Sequence, residues 1–354
     1  MRPLFATIDS AALRHNLGVV RRHASRSKVS AVVKAGAYGH GLLRAAAALS
    51  QTDGFALIEL EGAVRLREAG HRHPIVLLEG FFEPRELLVL VEHGLGAVVH
   101  SMDQVEALDA LPVNARLDVL LKANTGMNRL GLSAQEFSRA LDRLRRNPRI
   151  GSITLLTHFA SADEARGAGW QLQALQQFPG GSDLPKSLAN SAAILRHPET
   201  HADWVRTGIM LYGCSPFPGR TGAEDGLRAA MTLESRIIAV QELKAGDTVG
   251  YGGAFQAGRA MRIGVVACGY ADGYPRHAPN GTPIDVAGTK TGTIGRVSMD
   301  MLCVDLSTVP QARIGSRVVL WGEDMPVERV AEAAGTVGYQ LLCALAPRVQ
   351  IVER

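Results

Sequence analysis

The sequence predicts a (β/α)8 barrel that is followed by a smaller, mainly antiparallel β domain. Eight short apolar runs between residues 29 and 205 alternate with amphipathic helical segments, which is the pattern of a parallel barrel. The pattern changes after the Gly- and Pro-rich segment 217–226, because strand-like runs then follow one another at short spacing with Gly-rich turns. We therefore expect a barrel domain at 1–226 and a β domain at 227–354.

The individual elements follow from these patterns in chain order. Asp9 or Ser10 is the expected N-cap of a first helix, because Leu13, Leu17 and Val20 recur behind it at helical spacing. The barrel strands are expected at 29–33, 55–58, 75–78, 97–99, 117–121, 153–157, 187–189 and 204–205. The helical segments between them are expected at 42–49, 63–69, 84–92, 104–108, 134–144 and 169–178. In the second domain we expect strands at 232–240, 261–267, 291–294, 301–306 and 317–320, and a helix only at 327–334.

Composition and charge narrow the class of protein. The length of 354 residues exceeds one ordinary domain, and 46% hydrophobic residues suffice for sizeable cores. The net charge of +4 is mild and the basic residues are scattered, which argues against nucleic-acid binding and favours a small anionic ligand. The chain has no apolar window long enough for a membrane span, and its first apolar run is too short for a secretion signal. We therefore expect a cytoplasmic protein without membrane contact.

The cysteines and histidines show no metal-ligand pattern. The four cysteines lie far apart in apolar surroundings, so we expect reduced thiols. The segment His71-Arg72-His73 has metal-like spacing, but it precedes Pro74 in a predicted turn and has no third ligand. We expect no metal site.

Lys34 ends the first predicted barrel strand. A lysine at the end of a buried strand loses hydration, which lowers the pKa of its amine toward a nucleophilic, uncharged form. Gly36 and the two glycines after it permit a tight loop, and Tyr38 can donate its hydroxyl to an anion beside the lysine. A strand-end lysine that reaches solvent fits these residues equally well.

Further polar residues follow the apolar runs at other predicted strand ends. They are Lys34, Lys122, His158, Asn190 with Ser191, and Arg206. Because the chemistry of a barrel lies at the carboxyl ends of its strands, so many polar groups indicate a site there.

Motifs in both domains resemble those of alanine racemases, in the order of that family. In the first domain they are VVKAGAYGHG, LLKANTGMNRLG, LLTHFASAD, LANSAA and WVRTGIMLYG. In the second they are VGYGGAF, GYADGYPR and GRVSMDMLCVDL. The resemblance covers nearly the whole chain. It implies a pyridoxal-phosphate-dependent enzyme that interconverts L-alanine and D-alanine, as a homodimer with shared active sites.

The resemblance also implies the catalytic residues. Lys34 would carry the cofactor and act as the base on one face of the substrate's α-carbon, and Tyr251 of the partner subunit would be the base on the other face. Two bases are needed because a proton removed from one face must be returned to the opposite face. A tyrosine with a reference pKa near ~10 needs a stabilised phenolate, which His158 would supply with Arg206 behind it. Arg206 at the pyridine nitrogen would leave that nitrogen unprotonated and so favour racemisation over transamination.

The remaining implied contacts concern phosphate, substrate and entrance. Arg129 would bind the substrate carboxylate and the cofactor's phenolic oxygen, with Lys122 as a carbamylated, anionic partner. The cofactor and its phosphate would be held by Tyr38, Asn190, Ser191, Gly208 and Ile209. The partner subunit would add the amide of Met299 to the substrate site, with Tyr270, Arg276 and Arg296 at the entrance.

Two departures from the family pattern stand out. Pro347 falls where some members have a phosphate-binding tyrosine, so one hydroxyl contact would be missing. Gly36 falls where many members have an acidic residue, and the sequence does not predict the effect.

The leading interpretation is an alanine racemase that either makes D-alanine for peptidoglycan or catabolises alanine. Three other functions are alternatives. A broader-spectrum amino-acid racemase is the nearest alternative. A barrel-type pyridoxal-phosphate decarboxylase shares the layout but does not explain the Tyr251 motif or Arg206. A non-enzymatic cofactor carrier would have no use for the second domain.

Overall fold

The computed structural model describes residues 2–354 and divides them into two compact units. The barrel unit comprises Leu17–Ala37 and Gly41–Met210. The sheet unit comprises residues 2–16, Tyr38–His40 and Leu211–Arg354. The sheet unit therefore contains the N-terminal residues and the short segment 38–40, as well as the C-terminal part of the chain.

The barrel unit is a closed ring of eight parallel strands, as the sequence predicts. Each strand pairs with the next along the chain, and the last pairs with the first. The strands are Lys28–Val32, Gly54–Leu57, Ile75–Leu77, Gly96–Val99, Leu117–Lys122, Ile150–Leu156, Lys186–Ser187 and Trp204–Thr207. Apolar residues on both faces of most of these strands are buried, because a parallel barrel covers its strands from inside and outside.

Helices alternate with the barrel strands. They are Leu42–Ala48, Leu60–Glu68, Glu86–Glu92, Met102–Ala107, Ala134–Arg146, Gly169–Leu175 and Ser191–Arg196, with short 3-10 turns at Leu108–Ala110, Pro198–Thr200 and Ile209–Tyr212. The longest of them starts with a capping box, because Ser133 and Glu136 each satisfy the other's backbone amide. Its apolar residues recur every three or four positions and are buried. This apolar face therefore packs against the barrel.

The first helix, Ser10–His23, begins as predicted with a side-chain cap. Asp9 Oδ1 accepts the Ala12 amide at 2.9 Å, so Asp9 is the residue that caps it.

The sheet unit contains one large sheet, the start of the first helix, and two helices within residues 227–354. Its strands are Phe5–Ile8, Met231–Leu243, Met261–Val266, Pro283–Val286, Thr289–Ile294, Leu302–Asp305, Arg317–Trp321 and Gln350–Glu353, with a separate ribbon of Thr248–Val249 and Phe255–Gln256. The sheet is mainly antiparallel, as predicted. The long strand Met231–Leu243 pairs with Arg317–Trp321 through its first half and with Met261–Val266 through its second half.

The expectation of a single helix within residues 227–354 was wrong. Val327–Ala333 is helical, but Gly338–Cys343 forms a second helix. The sequence did not show it because a six-residue helix that begins with glycine has too few turns for a periodic pattern. No helix within residues 2–354 is long and apolar enough to cross a membrane.

Candidate active site

Lys34 is followed by a left-handed backbone turn. Lys34 lies two residues after the strand Lys28–Val32. The four residues that follow Lys34, Ala35 to Tyr38, have φ angles of 53, 58, 57 and 51°. Glycine adopts this conformation freely, but each of the other three residues pays about 1–2 kcal/mol for it. Such strain persists only where the surrounding structure fixes it, and it is common at functional sites. The turn therefore fixes the position of Lys34 at the end of its strand.

Four cationic side chains surround His158 at the barrel mouth. They are Lys34, Lys122, Arg129 and Arg206, and all four lower the pKa of His158. Burial contributes most, and the pKa of His158 falls to about 3, so its imidazole is neutral at any working pH. Burial and then the charges of Arg206 and Arg129 lower the pKa of Lys122 to about 8. The mouth of the barrel therefore attracts anions and disfavours a further cation.

Arg206 is fixed by the barrel backbone. Its Nη1 donates to the backbone oxygen and the hydroxyl of Ser187 at 2.5 and 3.0 Å, and its Nη2 donates to the Thr157 oxygen at 2.7 Å. Burial lowers the pKa of Arg206 to about 10, so the guanidinium stays charged at neutral pH. The strand Trp204–Thr207 therefore presents a rigid cation.

Arg206 also determines which nitrogen of His158 carries the proton. Nη2 of Arg206 lies 3.4 Å from Nδ1 of His158. A guanidinium can only donate, so we assign Nδ1 as the acceptor and Nε2 as the protonated nitrogen. His158 therefore has an N–H available to donate to another group through Nε2.

A second set of residues near the last two barrel strands presents hydrogen-bond donors. The Gly208 amide donates to the Ser191 hydroxyl at 3.0 Å, which leaves the proton of that hydroxyl available to another acceptor. Thr207 Oγ1 is buried and has no hydrogen-bond partner among residues 2–354. Ile209 is fully buried in the following turn. Asn190 Oδ1 accepts the Ala193 amide at 3.1 Å, so this side chain caps a helix.

Tyr38 belongs to the sheet unit and is buried there. Its ring stacks on Tyr212 with the ring centroids 4.7 Å apart. Burial raises the pKa of Tyr38 above its ordinary value, so its phenol stays protonated and can donate a hydrogen bond.

A buried glutamine that the sequence analysis missed supports His158. Gln171 Nε2 donates to the His158 backbone oxygen at 3.0 Å and to the Thr125 hydroxyl at 2.8 Å, and its Oε1 accepts the Ala160 amide. The Thr125 and Thr157 hydroxyls lie 2.8 Å apart. The only signal in the sequence was the place of Gln171 in the predicted helical segment 169–178, and a single polar residue in a helix is weak evidence.

The expected residues of the second domain lie exposed on the sheet unit. Tyr251 is 68% exposed and Met299 52% exposed, and Tyr270 is also exposed. Tyr251 stands between Gly250 and Gly252, which have φ angles of 76 and 68°, so glycines hold this turn open.

A parallel barrel with a cationic mouth and a separate sheet unit with exposed aromatic side chains define a two-domain barrel enzyme. Two family models match the chain: "Alanine racemase, N-terminal domain" at residues 8–216 and "Alanine racemase, C-terminal domain" at residues 230–353. The chain belongs to the alanine racemase family, and it is an isomerase.

Similar proteins cover the full length of the chain. The alanine racemase of Nitrosospira multiformis is 59% identical over 99% of both chains, and that of Nitrosomonas eutropha is 56% identical over 99% of both. The crystal structure of the biosynthetic alanine racemase from Pseudomonas aeruginosa has a TM-score of 0.96, is 45% identical and covers 100% of both chains. The Bartonella henselae alanine racemase, with covalently bound pyridoxal phosphate, has a TM-score of 0.88, is 27% identical and covers 100% of both chains.

Proposed function

We propose that this chain is a homodimeric alanine racemase that uses pyridoxal phosphate to interconvert L-alanine and D-alanine. Family membership over both domains supports the reaction, and the observation that carries the site is the cluster of cations around His158. The similar structure with covalently bound pyridoxal phosphate supports the cofactor.

The residues of the chain fit this cofactor. Its phosphate needs hydrogen-bond donors and positive charge, and Ser191, Tyr38 and the amides of Gly208 and Ile209 would supply the donors. The buried, unpartnered hydroxyl of Thr207 lies next to Gly208 in the chain and would be free to donate to a further acceptor. Lys34 would hold the cofactor covalently. When bound, pyridoxal phosphate stabilises negative charge at the α-carbon of an amino acid.

Lys34 and Tyr251 would be the two bases. Lys34 Nζ would take or return the α-proton on one face, and the hydroxyl of Tyr251 from the partner subunit would do so on the other. His158 would donate a hydrogen bond from its Nε2–H to the phenolate of Tyr251, and Arg206 would maintain the tautomer that makes this hydrogen bond possible. The exposure of Tyr251 on the sheet unit is compatible with a role in the partner's site.

Arg206 would also set the reaction outcome. A guanidinium with a pKa of about 10 has no proton to give up at neutral pH, so the pyridine nitrogen beside it would stay unprotonated. Arg206 would thereby favour return of the proton to the substrate's α-carbon over transamination.

Lys122 and Arg129 would bind the substrate carboxylate together. An unmodified, charged Lys122 beside Arg129 is unfavourable, as the lowered pKa of Lys122 reflects. Its neutral amine could add to carbon dioxide, with loss of a proton, to give an anionic carbamate that orients the guanidinium of Arg129. The partner's Met299 amide would bind the same carboxylate, and the partner's Tyr270, Arg276 and Arg296 would line the entrance.

The domain assignment and cellular role belong to the same proposal. Residues 1–226 would bind the cofactor, and residues 227–354 would contribute to the partner's site. The similarity to a protein described as a biosynthetic alanine racemase favours supply of D-alanine for peptidoglycan. A cytoplasmic location fits the buried thiols of Cys214 and Cys268, which form no disulfide and whose pKa values burial raises.

The direct test is conversion of L-alanine by protein freed of bound cofactor, followed by polarimetry with and without added pyridoxal phosphate. We expect the rotation to decay to zero only with the cofactor, with equal amounts of both enantiomers at the end. Release of carbon dioxide and ethylamine would indicate a decarboxylase instead. Equal rates on several amino acids would indicate a broader-spectrum racemase.

A further inference from the structure

Both ends of the chain meet at a group of two arginines and two aspartates, which we call the terminal ion-pair network. Its members are Arg2, Asp272, Asp300 and Arg348. Nη1 and Nη2 of Arg2 donate to the two carboxylate oxygens of Asp272 at 2.5 and 2.8 Å. Arg348 donates through Nε to Asp272 at 2.7 Å and through Nη2 to Asp300 at 2.6 Å. Each bond is charge-assisted, and the guanidinium of Arg348 bridges two carboxylates.

Asp272 is the centre of the terminal ion-pair network. Its side chain is fully buried, and it also accepts the Gly269 amide at 2.8 Å. Burial alone would raise the pKa of Asp272, but hydrogen bonds from Arg2, Arg348 and the Gly269 amide outweigh burial and lower it. Asp272 is therefore a buried anion whose charge depends on these donors.

The network lies beside two segments that carry exposed side chains. Asp272 follows Tyr270 by two residues, and Asp300 follows Met299 directly. The two segments are hydrogen-bonded to each other, because the Tyr270 amide donates to the Ser298 oxygen and the Ala271 amide donates to the Met299 oxygen, both at 3.0 Å. Nη2 of Arg2 also donates to the Asp300 backbone oxygen at 2.6 Å.

The two segments approach each other closely at Gly269. A Cβ at Gly269 would lie 2.3 Å from the Ser298 oxygen and 2.4 Å from the Met299 oxygen. The backbone of one segment therefore sets the backbone of the other, and the terminal ion-pair network fixes both from the side of the chain ends.

We propose that the terminal ion-pair network positions Tyr270 and Met299 for substrate binding in the partner subunit's active site. This inference rests on the proposed function, in which the Met299 amide binds the substrate carboxylate across the dimer. The four residues touch no substrate; they act through the two segments. Their loss should therefore weaken substrate binding more than it slows the chemical step.

Replacing Arg348 tests this role without removing a charge. Arg348→Lys keeps the cation, but a single ammonium cannot bridge Asp272 and Asp300 as the guanidinium does. We expect KM for L-alanine to rise about tenfold and kcat to change less than about twofold, because a displacement of the order of 1 Å weakens positioning. Arg317→Lys is the matched control, since Arg317 in the same sheet unit also binds carboxylates and should leave KM unchanged.

Hybrid dimers show whether the network acts across the subunit boundary. In a hybrid of a Lys34→Ala chain with a Tyr251→Phe chain, the one complete site takes Lys34 from the second chain and Tyr251 from the first. Asp272→Asn on the first chain should raise the KM of the hybrid about tenfold. The same substitution on the second chain should leave KM unaltered, because the sheet unit of the second chain contributes to the defective site.

The outcomes separate the inference from the function on which it rests. An equal rise in KM from either chain, or no rise from the first, would contradict the positioning role. If Asp272→Asn impairs folding, Arg348→Lys replaces it in the same hybrids, with the same expected asymmetry. An inactive hybrid that carries only Lys34→Ala and Tyr251→Phe would instead overturn the shared site of the proposed function, and the inference with it.

Discussion

Lys122 should respond to carbon dioxide as an ordinary lysine does not. At pH 7 an ordinary lysine is neutral in roughly 0.03% of molecules, whereas a lysine with a pKa of about 8 is neutral in roughly 10%. Only the neutral amine attacks carbon dioxide, so Lys122 is more available for carbamylation by about two orders of magnitude. The carbamate is an anion, and it would be stabilised by Arg206 and Arg129, the same charges that penalise the ammonium form.

The lowered pKa of Lys122 gives the free-energy cost of keeping this side chain charged in the folded protein. The pKa of Lys122 falls from 10.5 to about 8, which corresponds to roughly 2–3 kcal/mol of penalty on the charged form after allowance for solvent screening. Between these pH values the unfolded chain binds a proton that the folded chain does not, so the stability of the unmodified protein rises with pH across this window. Below about pH 8 the whole penalty is present.

The assay compares Lys122→Met with the parent chain at pH 7, in buffers free of carbon dioxide and in buffers with 13C-bicarbonate. Without carbon dioxide the variant should unfold about 4 °C higher than the unmodified parent at equal protein concentration, because it lacks the buried cation. With carbon dioxide the melting temperature of the parent should rise. A carbamate resonance that is absent from Lys122→Met should also appear in the 13C NMR spectrum of the parent. KM for alanine in the variant should exceed that of the carbamylated parent and should not depend on carbon dioxide. A parent chain with neither a carbamate signal nor a carbon dioxide-dependent melting temperature would refute this reasoning.

Three further substitutions test single contacts. Arg206→Glu should lower racemisation and raise pyruvate formation per turnover, since a carboxylate favours a protonated pyridine nitrogen; an unchanged pyruvate yield would count against the role of Arg206. His158→Gln should lower kcat/KM by about tenfold to a hundredfold and move the basic limb of the pH profile, because a donor to the Tyr251 phenolate is altered; an unaltered profile would remove His158 from this role. Gly36→Ala should destabilise the protein by about 1 kcal/mol in thermal unfolding, since residue 36 has a φ of 58°, and a neutral effect would show that the turn is not strained.

The sequence was sufficient to predict the barrel and several polar residues at its mouth. Short apolar runs alternate with amphipathic helical segments, and each such run can be recognised from neighbouring residues alone. All eight barrel strands were therefore predicted. Lys122, His158 and Arg206 follow such runs directly, and their position at strand ends implied that they would converge.

The sequence could not predict features that depend on distant contacts or override local preference. The strand Phe5–Ile8 pairs in parallel with Gln350–Glu353 at the other end of the chain, and no local pattern encodes such a pairing. Alanine and tyrosine disfavour positive φ, so the left-handed turn at Ala35, Ala37 and Tyr38 contradicts local propensity. The terminal ion-pair network likewise joins residues from four separate parts of the chain.

Deuterium exchange tests the central claim, which is that two bases act on opposite faces of the substrate. The purified protein, supplied with pyridoxal phosphate, is incubated in deuterated water with L-alanine and, in a separate reaction, with D-alanine, and α-deuterium is measured in each enantiomer. The parent chain should place deuterium in both enantiomers, and Tyr251→Phe should restrict exchange to one. Exchange into only one enantiomer by the parent chain, or equally fast labelling of both by Tyr251→Phe, would contradict the two-base account.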